Sequence, residues 1–327
     1  MKSSAFAWVA AALRAFHVVL FLFLATPVMA QLEKPPMRLV VPTPAGGPLD
    51  LVGRVFATAL ARESGEPVIV ENRPGANGLI GTEAVARSRP DGRTILLAAE
   101  FVASNVVMSK ADVAPLRDLA PVIELMRVDL VVVVRKSLGV REPSDLQRAA
   151  AQQPGGLNCA APPGGLGLAC EQLKLALGPG SVVTVPYAGV APAMNALLGG
   201  QVDIAVVPYD AVAPQLETGL VVAVASAGPE PAGPPFEKLP RMMQFWPSFT
   251  VVGFMGVMVP AGTPPATIAG LNRAFNNVLK DPQVRDALRG RGRTLKVGGS
   301  PGEFSASIAE RIDYYRRLAD AIGLKPQ

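Results

Sequence analysis

The residues best placed to do chemistry are Pro42-Thr43-Pro44-Ala45-Gly46-Gly47-Pro48. Before them, Leu39-Val40-Val41 reads as a short buried strand ending at Pro42, which cannot donate to a central ladder. After them, apolar residues at Leu51, Val52, Val55, Phe56, Ala59 and Leu60 keep a helical period. Gly47 suits an N-cap and Pro48 the first helical position, where its missing N–H costs nothing. A strand that turns through glycines into a helix start gathers free N–H groups and the positive end of a dipole at one spot. That is chemistry for an anion, although an ordinary tight strand-to-helix turn has the same form. The stretch contains neither G-x-x-x-x-G-K-S/T nor G-x-G-x-x-G, so a carboxylate fits better than a nucleotide phosphate.

Other reactive types point away from catalysis. The single histidine, His17, lies in an N-terminal segment with the character of a leader, so the remaining chain can build no Ser-His-Asp triad and no Cys-His dyad. Gly298-Gly299-Ser300-Pro301-Gly302 matches G-x-S-x-G, yet Ser300 with Pro301 and Glu303 reads as a helix opening of the capping-box kind. Two cysteines, Cys159 and Cys170, are a poor basis for a zinc site. In an oxidising compartment they would form a disulfide tying a strand end to the next helix, with two free buried thiols as the alternative. No metal, cofactor or catalytic residue is expected. Glu100, at the end of the strand Thr94–Ala98, either repels a second carboxylate and favours a ligand amine or points to solvent. Asp210 carries the same two readings. Tyr187 ends a strand, where its hydroxyl could donate to a ligand or sit half-buried at a rim.

The elements that must position these residues alternate between strand and helix. Strands are expected at Pro67–Val70, Thr94–Ala98, Leu130–Val134, Leu157–Ala160, Val182–Val185, Val202–Val207, Val221–Ala225 and Val251–Val259. Helices are expected at Ile80–Arg87, Pro143–Gln152, Cys170–Leu177, Ala191–Leu198, Ala266–Lys280 and Glu303–Ala321, and Glu100–Asn105 is expected as a ligand loop. This implies an α/β fold with mostly parallel sheets covered on both faces, with ligands at the carboxyl ends of strands. The length, 327 residues, is enough for about two ordinary domains. Residues 1–30 read as a signal peptide: Lys2 and Arg14 precede the apolar run Val18–Leu24, and Val28-Met29-Ala30 supplies the small residues for cutting after Ala30. Losing it lowers the net charge from +5 to +3, too small and scattered for nucleic acid. The product is expected to be exported.

The order of these pieces resembles the extracytoplasmic receptors of tripartite tricarboxylate transporters, the TctC/Bug family. The carriers are VPTPAGGPLD (Val41–Asp50), ENRPGANGLIG (Glu71–Gly81), PDGRTILL (Pro90–Leu97), DLAPV (Asp118–Val122), VPYAGVAPAMNALLGGQVD (Val185–Asp203) and VPAGTP (Val259–Pro264). The resemblance implies a two-domain periplasmic-binding-protein fold of the second type, with a cleft between domains that closes on a small organic acid. It implies delivery to membrane permease subunits by a monomer that is no enzyme; a sensor feeding a signalling kinase is the alternative, and an exported hydrolase a remoter one. Carried over by position, it implies ligand contacts from Thr43, Ala45, Gly46 and Gly47 in one domain and from Gly164, Gly165, Tyr187, Ala188 and Asp210 in the other. Residues 31–129 with 250–327 are expected as the first domain and 130–249 as the second. The chain departs from the family's pattern at Ala188, where Lys is frequent, at Gly167, where His is frequent, and over Leu239–Met243. These departures bear on the identity of the ligand beyond its carboxylate.

Overall fold

Alternating apolar runs fold here into two sheets, each flanked by helices. The computed structural model describes residues 35–110, 113–233, 235–288, 293–296 and 298–326. The expected leader and its cleavage point lie outside them. From Pro36 onward the chain is one compact unit.

The first sheet has the order β11-β4-β10-β3-β1-β2. Its strands are β1 (Met37–Val41), β2 (Val68–Asn72), β3 (Thr94–Ala99), β4 (Leu119–Val128), β10 (Gly253–Pro260) and β11 (Arg293–Leu295). Strands β1, β2 and β3 run parallel, whereas β10 runs antiparallel to both β3 and β4. The second sheet has the order β7-β6-β8-β5-β9, with β5 (Leu130–Arg135), β6 (Leu157–Ala161), β7 (Val182–Pro186), β8 (Ile204–Pro208) and β9 (Val221–Ser226). Here β6 pairs in parallel with β7 and β8, and β5 is antiparallel to β8 and β9. Both sheets are therefore mixed rather than mostly parallel. The reason is the chain path: it leaves the first sheet at the end of β4 and enters the second at once through β5. It then returns to place β10 between β3 and β4.

Helix α1 (Pro48–Ser64) starts at Gly47 with Pro48 in its first turn and stops at Gly65, whose φ of 69° is left-handed. It buries Leu49, Val52, Phe56 and Leu60; Leu51, expected on that face, is exposed and Leu49 takes its place. Gly53 lets α1 approach the sheet, since a Cβ there would lie 2.9 Å from Val41. The next helices are α2 (Leu79–Ala86), α3 (Phe101–Met108) and the single turn α4 (Pro115–Asp118). The second lobe carries α5 (Asp145–Gln152), α6 (Gly165–Leu177), α7 (Val190–Leu198) and α8 (Tyr209–Thr218). The chain then returns to α9 (Pro265–Val278), α10 (Pro282–Leu288) and α11 (Pro301–Ile322). Helix α11 opens with the expected capping box, Ser300 accepting from the Glu303 N–H while Glu303 accepts from the Ser300 N–H. Among the described residues no helix is long and apolar enough to cross a membrane.

In the second lobe the valine run of β5 is buried on both sides. Val131 and Val133 join the apolar cluster on one face, Leu130, Val132 and Val134 that on the other. The first lobe has its own cluster, from Leu39 and Phe56 to Phe275 and Phe304, and it also takes in Leu168 from α6 of the second lobe. Apolar contact thus crosses between the lobes.

Candidate functional site

The anion-type loop is built as its sequence suggests, but its two glycine N–H donors are already engaged. Gly46 has a φ of 80°, the left-handed conformation that glycine adopts without strain. Its N–H donates to Asp50 Oδ2 at 2.8 Å, and the Gly47 N–H points to the Pro44 carbonyl at 3.4 Å. Asp50 is 1% exposed and also accepts from Arg54 Nε at 2.9 Å and Asn72 Nδ2 at 2.9 Å. The hydrogen bond from Arg54, reinforced by those from Gly46 and Asn72, outweighs desolvation and holds the Asp50 carboxyl down at about 2. Gly46 and Gly47 therefore shape the loop without presenting free N–H groups. Thr43, whose carbonyl accepts from Asn72 Nδ2 at 3.2 Å, keeps an enclosed hydroxyl with no hydrogen-bond partner, while Ala45 is exposed.

The loop after β2 is the second component. Ala76 and Asn77 both adopt left-handed backbone with φ of 48° and 49°, a conformation that costs energy outside glycine and collects at ligand sites. A reciprocal pair fixes it: Asn77 Nδ2 donates to Asn105 Oδ1 at 2.9 Å, and Asn105 Nδ2 donates to the Asn77 carbonyl at 3.0 Å. Asn105 can do this because Glu100–Asn105, expected as a loop, opens helix α3 with Glu100 at its N-cap. The stretch holds no glycine or proline, and it favours helix once Phe101, Val102 and Ala103 find a core.

The third component joins the lobes. Glu100 does not point to solvent: its Oε2 accepts the Gly165 N–H, at the first residue of α6, at 3.1 Å. Gly164, buried with a φ of 78° that favours glycine, packs tightly on the first lobe, since a Cβ would lie 3.2 Å from both side-chain heteroatoms of Asn77. A Cβ on Gly165 would overlap Glu100 Oε1 and the Tyr315 hydroxyl. Burial pushes the Glu100 carboxyl above its ordinary value, opposed by the Tyr315 and Ser104 hydroxyls, the Gly165 N–H and the more distant Arg311. Glu100 Oε1 and the Ser104 hydroxyl are enclosed, close to one another but short of full hydrogen-bond geometry. Tyr315, 3% exposed, has its hydroxyl raised well above the usual phenol value by burial and then by the Glu100 charge. It also borders a cavity of about 420 Å³ lined by Glu124, Arg127, Thr250, Arg311 and Tyr314.

Helix α6 is anchored by the Cys159–Cys170 disulfide, whose Cα atoms lie 5.7 Å apart and which fastens β6 to the first turns of the helix. Tyr187 and Ala188 follow β7, the Tyr187 N–H donating to the Ala161 carbonyl at 3.0 Å. Tyr187 packs on the apolar cluster of the second lobe, and Ala188 is exposed. Asp210 is half-buried in the first turn of α8, a helix that Pro214 hides in the sequence. The structure thus brings Glu100, Gly164 and Gly165 into one contact and keeps Thr43 to Gly47 on one loop. Tyr187, Ala188 and Asp210 stand at two further strand ends of the second lobe. Sequence reasoning missed Asp50, Asn77, Ser104, Asn105 and Tyr315. Asp50 was legible as an acid in the first turn of a helix; Tyr315 was not, being joined to Glu100 only through the fold. Among the described residues no group of three His, Cys, Asp or Glu could hold a metal ion.

Over residues 52–324 the chain matches the family model described as "Tripartite tricarboxylate transporter family receptor". The chain belongs to this TctC family. It is 32% identical over 298 residues to Protein BugT of Bordetella pertussis (strain Tohama I), covering 89% of this chain and 90% of that one. Among solved structures it is similar to the periplasmic binding protein BugD, with a TM-score of 0.77 and 29% identity over 90% of this chain and all of the other. It is also similar to R. palustris Rpa4515 with adipate, with a TM-score of 0.78 and 28% identity over 89% of this chain and 98% of that one. Members of the TctC family are solute receptors, and the two-lobed α/β fold of this chain is that of periplasmic binding proteins.

Proposed function

We propose that this TctC receptor closes its two lobes on a small organic acid in the periplasm and presents it to the membrane subunits of a tripartite tricarboxylate transporter. The observation that carries the reading is the meeting of strand-end loops from opposite lobes, Asn77 and Glu100 against Gly164 and Gly165. In α/β sheets that is where ligands bind. The acid's carboxylate is received by the first loop, with Thr43 supplying a hydroxyl and Ala45 a backbone N–H at the positive end of α1. Gly46 and Gly47 hold the loop's shape, and Tyr187, Ala188 and Asp210 border the ligand from the second lobe. Residues 31–129 with 250–327 move as one lobe and 130–249 as the other. The adipate in Rpa4515 supports an acid of this size.

The test is a thermal-shift screen of the purified protein against organic acids and amino acids. A saturable rise in melting temperature for one carboxylate, lost on its methyl ester, is expected, because a ligand that binds only the folded state must stabilise it. A rise only for neutral compounds would overturn the reading.

A further inference from the structure

We propose that Glu100 is a built-in carboxylate seated at the N-terminus of α6, and that it restricts this receptor to acids bearing one carboxylate and a hydrogen-bond-donating group, an ammonium above all. The proposal rests on the solute-receptor reading above and names its ligand class.

Helix α6 presents few backbone donors at its start. The Gly167 and Leu168 N–H groups both turn back to the Gly164 carbonyl, and the Gly165 N–H is taken by Glu100 Oε2 at 3.1 Å. This convergence of a helix start, a glycine turn and a strand end in the second lobe is therefore filled by an acid from the first lobe. A ligand carboxylate seated there would meet a like charge and would find its donor already used. The charged and polar groups facing Glu100 fit this reading. The Tyr315 and Ser104 hydroxyls and the Gly165 N–H lie beside it, whereas the Arg311 cation is engaged over the Phe254 ring at 4.4 Å and near Glu124 at 3.8 Å. Among the described residues no full cation neutralises the carboxylate at contact distance. Its Oε1 is enclosed, with only the neutral Tyr315 and Ser104 hydroxyls beside it as side-chain donors. A ligand ammonium at that edge would supply the positive charge that neutral hydroxyls cannot. The ligand's own carboxylate is left to the first loop.

Calorimetry with matched pairs tests this on wild type and Glu100→Gln. In each pair a terminal ammonium replaces a carboxylate: 4-aminobutanoate with glutarate, 6-aminohexanoate with adipate, and 4-(aminomethyl)benzoate with terephthalate. Wild type is expected to prefer the amino member of the best-fitting pair by about tenfold or more, the scale of one charge-assisted hydrogen bond. Glu100→Gln, which retains the shape and an acceptor for Gly165, should erase or reverse that preference. Tighter binding of the dicarboxylate by wild type, or an unchanged ratio in Glu100→Gln, would overturn the proposal and leave the receptor reading intact. Failure of all six acids to bind wild type would overturn both.

Discussion

The burial of Glu100 has a consequence for stability that is independent of any ligand. With its carboxyl raised above 4.5 in the folded protein, folding takes up a proton there. The stabilising contribution is full below about 4.5 and is lost as pH rises through the folded value. Glu100→Gln has no proton to lose, so its melting temperature, without ligand, should match wild type near pH 4.5 and exceed it increasingly as pH rises until the folded carboxyl is ionised. A difference that stays flat across that range, measured by calorimetric scans, would show that the carboxyl is not strained by burial. Asp50 is the contrary case, an acid held low because Arg54, Gly46 and Asn72 all donate to it. The two acids also differ in how far their roles could be read from the chain. For Glu100 the residue type and its place at the end of β3 were legible, but whether it faced solvent or a site depended on Gly165 and Tyr315, which are 65 and 215 positions away. The spacing of Asp50 from Gly47 announced a helix start, yet of the glycine donors expected for a ligand the Gly46 N–H goes to Asp50 and the Gly47 N–H to the Pro44 carbonyl.

At the scale of elements, local chemistry was a good guide where both ends of an element carried punctuation. Pro48 and Gly65 bracket α1, and Ser300 with Glu303 opens α11. It failed where tertiary partners decided. Strand β4 is obscured in the sequence because Pro121, Glu124 and Arg127 interrupt its apolar run; Glu124 is nonetheless buried, accepting from Ser307 at 3.1 Å on α11. The direction of β10 could not be read either, since nothing in a fully apolar strand distinguishes parallel from antiparallel insertion. The cysteine pair, by contrast, was legible from composition and compartment. It links β6 to α6 across 11 positions, and a bridge over so short a loop contributes about 2–3 kcal/mol by limiting the unfolded chain. Replacing both cysteines with alanine should lower the urea unfolding free energy by about that amount. Equal stability of the oxidised protein and the double variant would show that the Gly164–Gly165 turn is held without help from the disulfide.

The whole molecule brings together what neither lobe has alone. Leu168 packs into the first lobe's core, Glu100 reaches the start of α6, and Tyr315 closes the contact from α11. Gly165 is the position on which this arrangement turns. It lies within α6, where alanine is a better helix former than glycine, so Gly165→Ala should not harm the second lobe by itself. In the structure, however, the added methyl would overlap Glu100 Oε1 and the Tyr315 hydroxyl. Overpacking of this kind costs about 1–3 kcal/mol or forces the lobes apart. The variant is therefore expected to melt below the wild-type temperature without ligand, by the equivalent of about 1–3 kcal/mol, to bind the screened acid at least about tenfold more weakly, and to scatter X-rays as a more open particle at saturating ligand. Gly270→Ala on α9 is the matched control, since a Cβ there meets only Arg273 Nη2 at 4.0 Å. If Gly165→Ala binds and scatters like wild type while Gly270→Ala does the same, closure does not run through Gly165. If both variants weaken binding equally, the loss reflects helix chemistry rather than the meeting of the lobes. Only a loss confined to Gly165→Ala places the ligand's closure where Glu100 and the start of α6 meet.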